Sequence, residues 1–494
     1  MSDSTRKHIF AWTISGGWGH ARPMLAFLCH LVKAKPVDIT FAVSQVIFAR
    51  ARDELPRHFG EAEAEAKSLI RLVEVSSSSP IRLEEMKQNY ESVLDSILND
   101  DNQRDPDIFL TDVIAFCTLD VARTKSRKPY KIVGWCSVAP MLLYTHLREL
   151  SEGHSGIGKA VERVQAEMEE KAKVDGIPFR QAAIKYNDSH VTGRVLSVPD
   201  LPPVADYEMY PQCDGLLSPS CYVLEPNAFD ALSEWFEGRP ALAVGPLYPS
   251  GADAHAQEAK SGELAQTKAE ANIEQFLDTV LQERGTRSIL YISFGSTFST
   301  VVGIEADKLW AWIDVVVDMN VPVIVSYPPQ NAPLPEKLQS KVDASKVTFI
   351  CQYAPQQYIL SHPATGWFLT HNGLSSTVET LQAGIPMISW PICADQPVYA
   401  MLNALVLKTG YELHEVRRGH GLKYRHGYDK TPIGTVDAVR QEAREVLTKA
   451  FLDEKERKEK QAAAEVLQAK LAVAWQEGQP AKEAMRRFVD AFLS

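Results

Sequence analysis

Short apolar runs alternate with longer helical patterns along this chain, and they do so in two separate blocks. In the first block, "HIFAWTI" (8–14), "DITFAV" (38–43), "LIRLVEV" (69–75), "DIFL" (107–110) and "YKIVGW" (130–135) read as strands. In the second, "SILYISF" (288–294), "VPVIVSY" (321–327), "VTFIC" (347–351), "GWFLT" (366–370) and "IPMISW" (385–390) do the same. Runs this continuously apolar suit a parallel sheet covered on both faces, with helices as the crossovers. "PMLAFLCHLVKA" (23–34) reads as the first crossover helix, with Pro23 at a favoured early position. Between the blocks lies "VGPLYPSGADAHAQEAKSGELAQTKAEAN", rich in Gly, Pro, Ala and polar residues, which reads as a linker. The expected organisation is therefore an α/β domain at 1–245, a linker at 246–272 and a second α/β domain at 273–476. A helix restarts after Pro480, and 477–494 is expected to pack back on the N-terminal domain. A length of 494 residues fits more than one domain.

The charge balance narrows the partners. The chain carries 52 basic and 63 acidic residues, a net charge of -11, so it has no global attraction for nucleic acid or anionic membrane. No run of apolar residues is long enough to span a bilayer, and "MSDSTRKHIF" lacks the apolar core of a leader. The seven cysteines are scattered and form no C-x-x-C pair, so neither a zinc site nor a disulfide framework is indicated. Reduced thiols in a cytoplasmic, monomeric protein are the expectation. His414, His420 and His426 fall in one basic stretch without acidic or sulfur ligands beside them, which reads as a surface loop rather than a metal site. The charged stretch 152–175 reads as a solvated helix.

Two loops hold the chemistry. The first, "ISGGWGHARP" (14–23), has glycines at a strand-to-helix junction. It fails the dinucleotide fingerprint, because Gly17 and Gly19 are followed by Arg22 where a third glycine is needed. The second is the window from Tyr353 to Gln396. Its strand "GWFLT" runs into "HNGLSS" and then into a helix, "STVETLQA", with Gly384 as its C-terminal stop. Backbone N–H groups at a helix start, two hydroxyls and an imidazole make a favourable place for phosphate. Glu379 lies one turn beyond Ser375 and offers a carboxylate to both hydroxyls of a ribose. Asp395 and Gln396 follow the next strand and suit a polyhydroxylated sugar.

This window resembles the signature box of the family 1 UDP-glycosyltransferases. Pro355, Gln356, His362, Gly366, Phe368, Thr370, His371, Gly373, Ser376, Glu379, Gly384, Pro386, Pro391, Asp395 and Gln396 all fall in register with it. The chain departs from the family at the first aromatic, Tyr353 in place of Trp, and in the loop, where Asn372, Leu374 and Ser375 replace Cys, Trp and Asn. The resemblance implies a GT-B fold: two facing Rossmann-like domains with parallel sheets and an interdomain cleft. It implies UDP-sugar as donor, with glucose favoured by Gln396, and a donor site of Ser296, Thr297, Tyr353, Gln356, His371, Asn372, Gly373, Ser375, Ser376, Glu379, Trp390, Asp395 and Gln396. UDP-sugar would be a co-substrate, with no cofactor and no metal.

The resemblance also implies the catalytic pair. Direct transfer with inversion needs one base on the acceptor hydroxyl. The family's base is the His of G-H-x-x-P, here His20, placed between the first strand and a helix starting near Pro23. Its carboxylate partner is matched by Asp112, at the end of "DIFLT"; Asp120, two turns into the next helix, ranks lower. A small lipophilic acceptor is the family expectation, with Trp18, Phe116, Ser137, Tyr144 and the neighbouring Trp135 as candidate contacts. Sterols and glycolipid precursors stay open as acceptors. A nucleotide-sugar binder without transfer, a nicotinamide oxidoreductase and an epimerase of the same architecture are the competing readings.

Overall fold

The computed structural model describes residues 6–13, 17–76, 83–112, 115, 118–144, 170–171, 173–176, 212–248, 270–295, 299–327, 333–352, 354–392, 394–423 and 430–494. The expected linker lies mostly outside the described residues, as does most of the charged stretch 152–175. The described chain divides into two compact units. One is built from the residues up to 144, from 212 to 248 and from 473 onward; the other takes the described residues between 170 and 176 and those from 270 to 472.

The first unit holds seven strands: β1 (His8–Trp12), β2 (Asp38–Ser44), β3 (Ile70–Val75), β4 (Ile108–Asp112), β5 (Lys131–Trp135), β6 (Gly215–Ser218) and β7 (Ala241–Ala243). All pair in parallel, in the order β3-β2-β1-β4-β5-β6-β7. The second unit holds β8 (Ile289–Ser293), β9 (Val323–Ser326), β10 (Thr348–Cys351), β11 (Thr365–Thr370), β12 (Met387–Ser389) and β13 (Gly410–Glu412). These are also parallel, in the order β10-β9-β8-β11-β12-β13. Strands β1, β4, β8 and β11 are buried at every position, which is why their sequences carry no polar alternation. In each sheet the chain builds outward to one side, then returns to build the other. The reversal falls between β1 and β4 in one sheet and between β8 and β11 in the other. Open α/β sheets bind ligands at the carboxyl ends of the strands at such a reversal.

In the first unit, α1 (Trp18–Ala34) covers one face and α2 (Leu83–Leu98) the other. Alternate residues of β1 divide between them: Ile9 and Ala11 join the α1 cluster, Phe10 and Trp12 the α2 cluster. The short α3 (Leu119–Lys125) comes after β4. In the second unit, α4 (Ser299–Asp318) follows β8, α5 (Gln356–Ser361) precedes β11, α6 (Leu374–Gln382) follows β11 and α7 (Gln396–Met401) follows β12. The terminal α8 (Pro480–Phe492) belongs to the first unit. Its Phe488 meets Phe27 of α1 edge to face, with ring centroids 5.4 Å apart. Burying each such phenyl contributes about 1.5–3 kcal/mol.

Helix α1 begins a turn earlier than the sequence suggests. Gly17 is its N-cap, and the N–H groups of His20 and Ala21 both reach the Gly17 carbonyl at 3.0 Å. Pro23 sits inside the helix, where its ring still has helical φ and removes only one N–H. His20 is therefore a first-turn helix residue rather than part of a preceding loop.

Near the other end of α1, His30 stacks on Trp475 at 4.3 Å, and its Nε2 lies 3.3 Å from the Leu247 carbonyl oxygen. Burial lowers its pKa to about 4. The folded chain thus holds fewer protons than the unfolded chain, whose histidine titrates near 6.5. This contribution to stability is full above that value and is lost as pH falls toward 4. Between pH 7 and pH 5 the wild type should lose about 1–2 kcal/mol more than His30→Gln, measured by urea unfolding at both pH values. Equal losses in the two proteins would contradict the assignment.

Candidate active site

In the first unit the reversal between β1 and β4 brings two titratable residues together. His20 stands in the first turn of α1, and Asp112 is the last residue of β4. His20 Nδ1 and Asp112 Oδ2 are 2.9 Å apart. The Asp112 side chain is fully buried, while the imidazole keeps 23% of its surface exposed. A buried carboxylate needs hydrogen-bond donors, and the imidazole supplies one. Ser137, just beyond β5, joins them: its Oγ is 2.6 Å from His20 Nδ1 and 3.2 and 3.3 Å from the Asp112 oxygens. Both partners meet Nδ1, so Nδ1 carries the hydrogen and the lone pair sits on Nε2. That is the tautomer of a general base. It is not the arrangement of a nucleophilic serine, where serine and carboxylate engage opposite ring nitrogens.

Asp120 is placed differently from its sequence reading. It lies in the first turn of α3, not two turns in, and bonds Arg123 Nη1 at 3.0 Å with a mostly exposed side chain. Of the aromatic candidates, Trp135 is fully buried and packs on Phe27. Trp18 and Tyr144 are partly buried, each against a core cluster of the first unit. Phe116 lies outside the described residues.

In the second unit the reversal between β8 and β11 carries the imidazole of His371, directly after β11. Two glycines hold this ring. A Cβ on Gly373 would stand 2.7 Å from His371 Nε2, and one on Gly295, just past β8, would stand 2.9 Å from Cε1. Gly295 also has φ +73°, a conformation that other residues adopt at a cost. Burial lowers the His371 pKa to about 4, so the ring is neutral at physiological pH. Helix α6 starts at Leu374 with Gly373 as N-cap. The helix thus begins two residues before the Ser376 start that the sequence suggests, and Ser375 is a first-turn helix residue. The first-turn N–H groups have no carbonyl one turn back to bond, and they add the positive end of the helix dipole. The helix ends at Gln382, with Gly384 at φ +68° just past it.

Most of the remaining donor candidates are largely buried. Glu379, one turn up α6, lies 3.2 Å from the Gln356 amide at the start of α5. Asp395 caps α7, and Gln396 begins it; both are largely buried. The Gln396 carbonyl oxygen accepts from the Ile392 N–H at 2.8 Å, which directs its amide N–H groups elsewhere. Trp390 packs edge to face on Phe294 and belongs to the core. Asn372, at φ +60°, is fully buried, with its amide on Met387 Sδ at 3.7 Å. Asparagine tolerates that backbone conformation better than most residues. Ser296, Thr297 and Tyr353 lie outside the described residues. Sequence reasoning passed over Gly295, which precedes the two hydroxyls it singled out, and did not connect Ser137 with the His20–Asp112 pair. The first could have been read from the glycine in "SFGS"; nothing in the sequence marks the second.

Comparison with known proteins identifies the family and the fold. Residues 259–410 match the family model for UDP-glucoronosyl and UDP-glucosyl transferase. The chain is similar to UDP-glycosyltransferase eriJ of Hericium erinaceus, 34% identical over 93% of each chain. It is also similar to UDP-glycosyltransferase 72B1 of Arabidopsis thaliana, 28% identical over 81% of this chain and 82% of that one. Among solved structures, Os79 from O. sativa in complex with U2F and trichothecene has the same fold: TM-score 0.68, 17% identity, 98% of this chain and 100% of that chain covered. Both units thus have the Rossmann-like architecture of the GT-B glycosyltransferases. No helix among the described residues is long and apolar enough to cross a membrane. With a third of its residues shared over nearly the full length of eriJ, this chain belongs to the family 1 UDP-glycosyltransferases.

Proposed function

We propose that this enzyme moves a hexose, with glucose favoured, from UDP-sugar to a hydroxyl of a small lipophilic acceptor, inverting the anomeric centre, with His20 as the general base. The observation that carries the proposal is the 2.9 Å contact between His20 Nδ1 and the buried Asp112 carboxylate. Nε2 takes the proton of the acceptor hydroxyl. The acceptor oxygen forms a bond to the anomeric carbon on the face opposite UDP, and the bond from that carbon to the diphosphate breaks, its electron pair leaving with UDP. Asp112 stabilises the imidazolium that results.

The second unit's groups suit the donor. Neutral His371 donates a hydrogen bond to the diphosphate without a competing proton equilibrium, and the first turn of α6 adds N–H groups and dipole. Glu379 accepts from the ribose hydroxyls, with Gln356 beside it. Asp395 and the Gln396 amide address the sugar, and Tyr353 stacks on uracil. Ser296 and Thr297 serve the diphosphate. Solved relatives of the same fold hold UDP-2fluoro-glucose with pterostilbene, or a trichothecene, which supports small-molecule acceptors. The replacement of three loop residues, at 372, 374 and 375, motivates a second reading: a binder of UDP-sugar that transfers nothing. The assembled base and its carboxylate disfavour it.

A matrix of UDP-sugars against phenols, terpenoid alcohols, sterols and glycolipid precursors, read by product mass, tests the proposal. Hexose addition with UDP release on phenols or small alcohols is expected, with UDP-glucose the best donor. Tight UDP-sugar binding with no transfer to any acceptor class would overturn it.

A further inference from the structure

We propose that Ser137 is a positioning residue of the base: its hydroxyl bridges His20 and Asp112 and stabilises the imidazolium–carboxylate pair formed on proton abstraction. The inference rests on the reading of His20 as base. It gives Ser137 a different task from the contact with donor sugar or acceptor that its place in the sequence suggests.

The argument starts from the three distances. Ser137 Oγ lies 2.6 Å from His20 Nδ1 and 3.2 and 3.3 Å from Asp112 Oδ2 and Oδ1. A serine hydroxyl has one hydrogen and two lone pairs. An ionised carboxylate accepts only, so the Ser137 hydrogen points to Asp112. The Ser137 lone pair then faces the Nδ1–H of His20. The imidazole hydrogen is shared between Asp112 Oδ2 and Ser137 Oγ, and the three side chains close into a ring of hydrogen bonds. Ser137 is 9% exposed and Asp112 is 0% exposed, so little water competes for these bonds.

Orientation decides the consequence. When His20 takes the acceptor proton, it becomes a cation beside a buried anion. The Ser137 dipole then has its negative end on the cation and its positive end on the anion, and favours that state over the neutral one. The hydroxyl thus raises the basicity of Nε2 without touching substrate. It also helps hold the ring plane, because it adds a contact at Nδ1 to that of Asp112. The backbone makes this placement possible. Asp112 and Trp135 are paired neighbours across β4 and β5, so the residues that follow Trp135 emerge beside the carboxylate. The residue between them, Cys136, turns its thiol to the Val138 carbonyl, away from the dyad.

The test is steady-state kinetics on the full-length enzyme with UDP-glucose and the best acceptor from the matrix, across pH, for wild type, Ser137→Ala, Ser137→Cys, Ser137→Thr and His20→Ala. Ser137→Ala and Ser137→Cys should each lose about tenfold in kcat, the size of one net hydrogen bond. The KM for UDP-glucose should stay within about twofold, and the acid limb of the kcat/KM profile should move to lower pH, as for a weaker base. Ser137→Thr keeps the hydroxyl and should recover most of the rate, which separates the chemistry from any folding effect. Unchanged kcat in Ser137→Ala and Ser137→Cys would overturn the proposal. So would a loss confined to the donor KM with the pH profile unmoved, which marks a sugar contact. His20→Ala separates the two ideas: if it keeps its rate, the base itself is misassigned; if it is inactive while Ser137→Ala is normal, only the role of Ser137 fails.

Discussion

Replacing His20 by alanine is expected to lower kcat by about three orders of magnitude, with the KM for UDP-sugar within about twofold of wild type. The size follows from the task. A positioned general base is worth roughly a hundredfold to ten-thousandfold, and His20 is paired at Nδ1 with the buried Asp112 carboxylate at 2.9 Å. The split follows from the location. His20 belongs to the first unit, whereas His371, Glu379 and Gln356 belong to the second. Removing the base leaves the groups proposed to hold UDP intact. Asp112→Asn should behave similarly with a smaller loss, because an amide still meets Nδ1 but carries no charge to set against the imidazolium. Parallel kinetics on the two variants check this. A His20→Ala enzyme with wild-type kcat would exclude the mechanism.

The second large effect is expected at a residue with no side chain. Gly295→Ala should weaken UDP binding by about a hundredfold, read by titration calorimetry. Two costs combine. The new residue must hold φ +73°, which is disfavoured by about 1–2 kcal/mol. Its Cβ would also stand 2.9 Å from His371 Cε1, so the ring must move. In the proposed donor site, a displaced His371 would no longer present the same nitrogen to the diphosphate. Gly373→Ala attacks the ring from the other side, with a Cβ 2.7 Å from Nε2, and should show the same loss. UDP affinity within twofold of wild type in both variants would remove His371 from the donor site.

Much of the architecture was legible in the sequence because buried parallel strands advertise themselves. All ten apolar runs became strands, displaced by a residue or two at their ends. The strands that escaped notice are β6, β7 and β13, whose cores read "GLLS", "ALA" and "GYE". Segments this short carry no measurable period, and only their neighbours in the sheet make them strands. The start of α1 was misjudged because proline is common at a helix's first position, and here it sits one turn in. The start of α6 was misjudged by less, two residues, since Leu374 and Ser375 resemble the end of a loop.

At the site, residues next to each other in sequence were the easier ones. His371, Gly373 and Glu379 share one strand–helix unit, so their proximity follows from local geometry. The pairing of His20 with Asp112 needed the topology, since it depends on β1 and β4 being neighbours. Two features lay beyond sequence reasoning. The inward turn of Asn372 onto Met387 depends on packing in the second core. The contact of Ser137 with both dyad residues depends on the register of β4 against β5 and on a rotamer.

The central claim is transfer by direct displacement, and the product's anomeric configuration tests it most directly. Wild-type enzyme is incubated with UDP-α-glucose and a phenolic acceptor, and the anomeric proton coupling of the product is read by NMR. A β-glucoside, formed in step with UDP release, is the predicted result. An α-glucoside, or UDP-glucose bound and never consumed, would contradict the account.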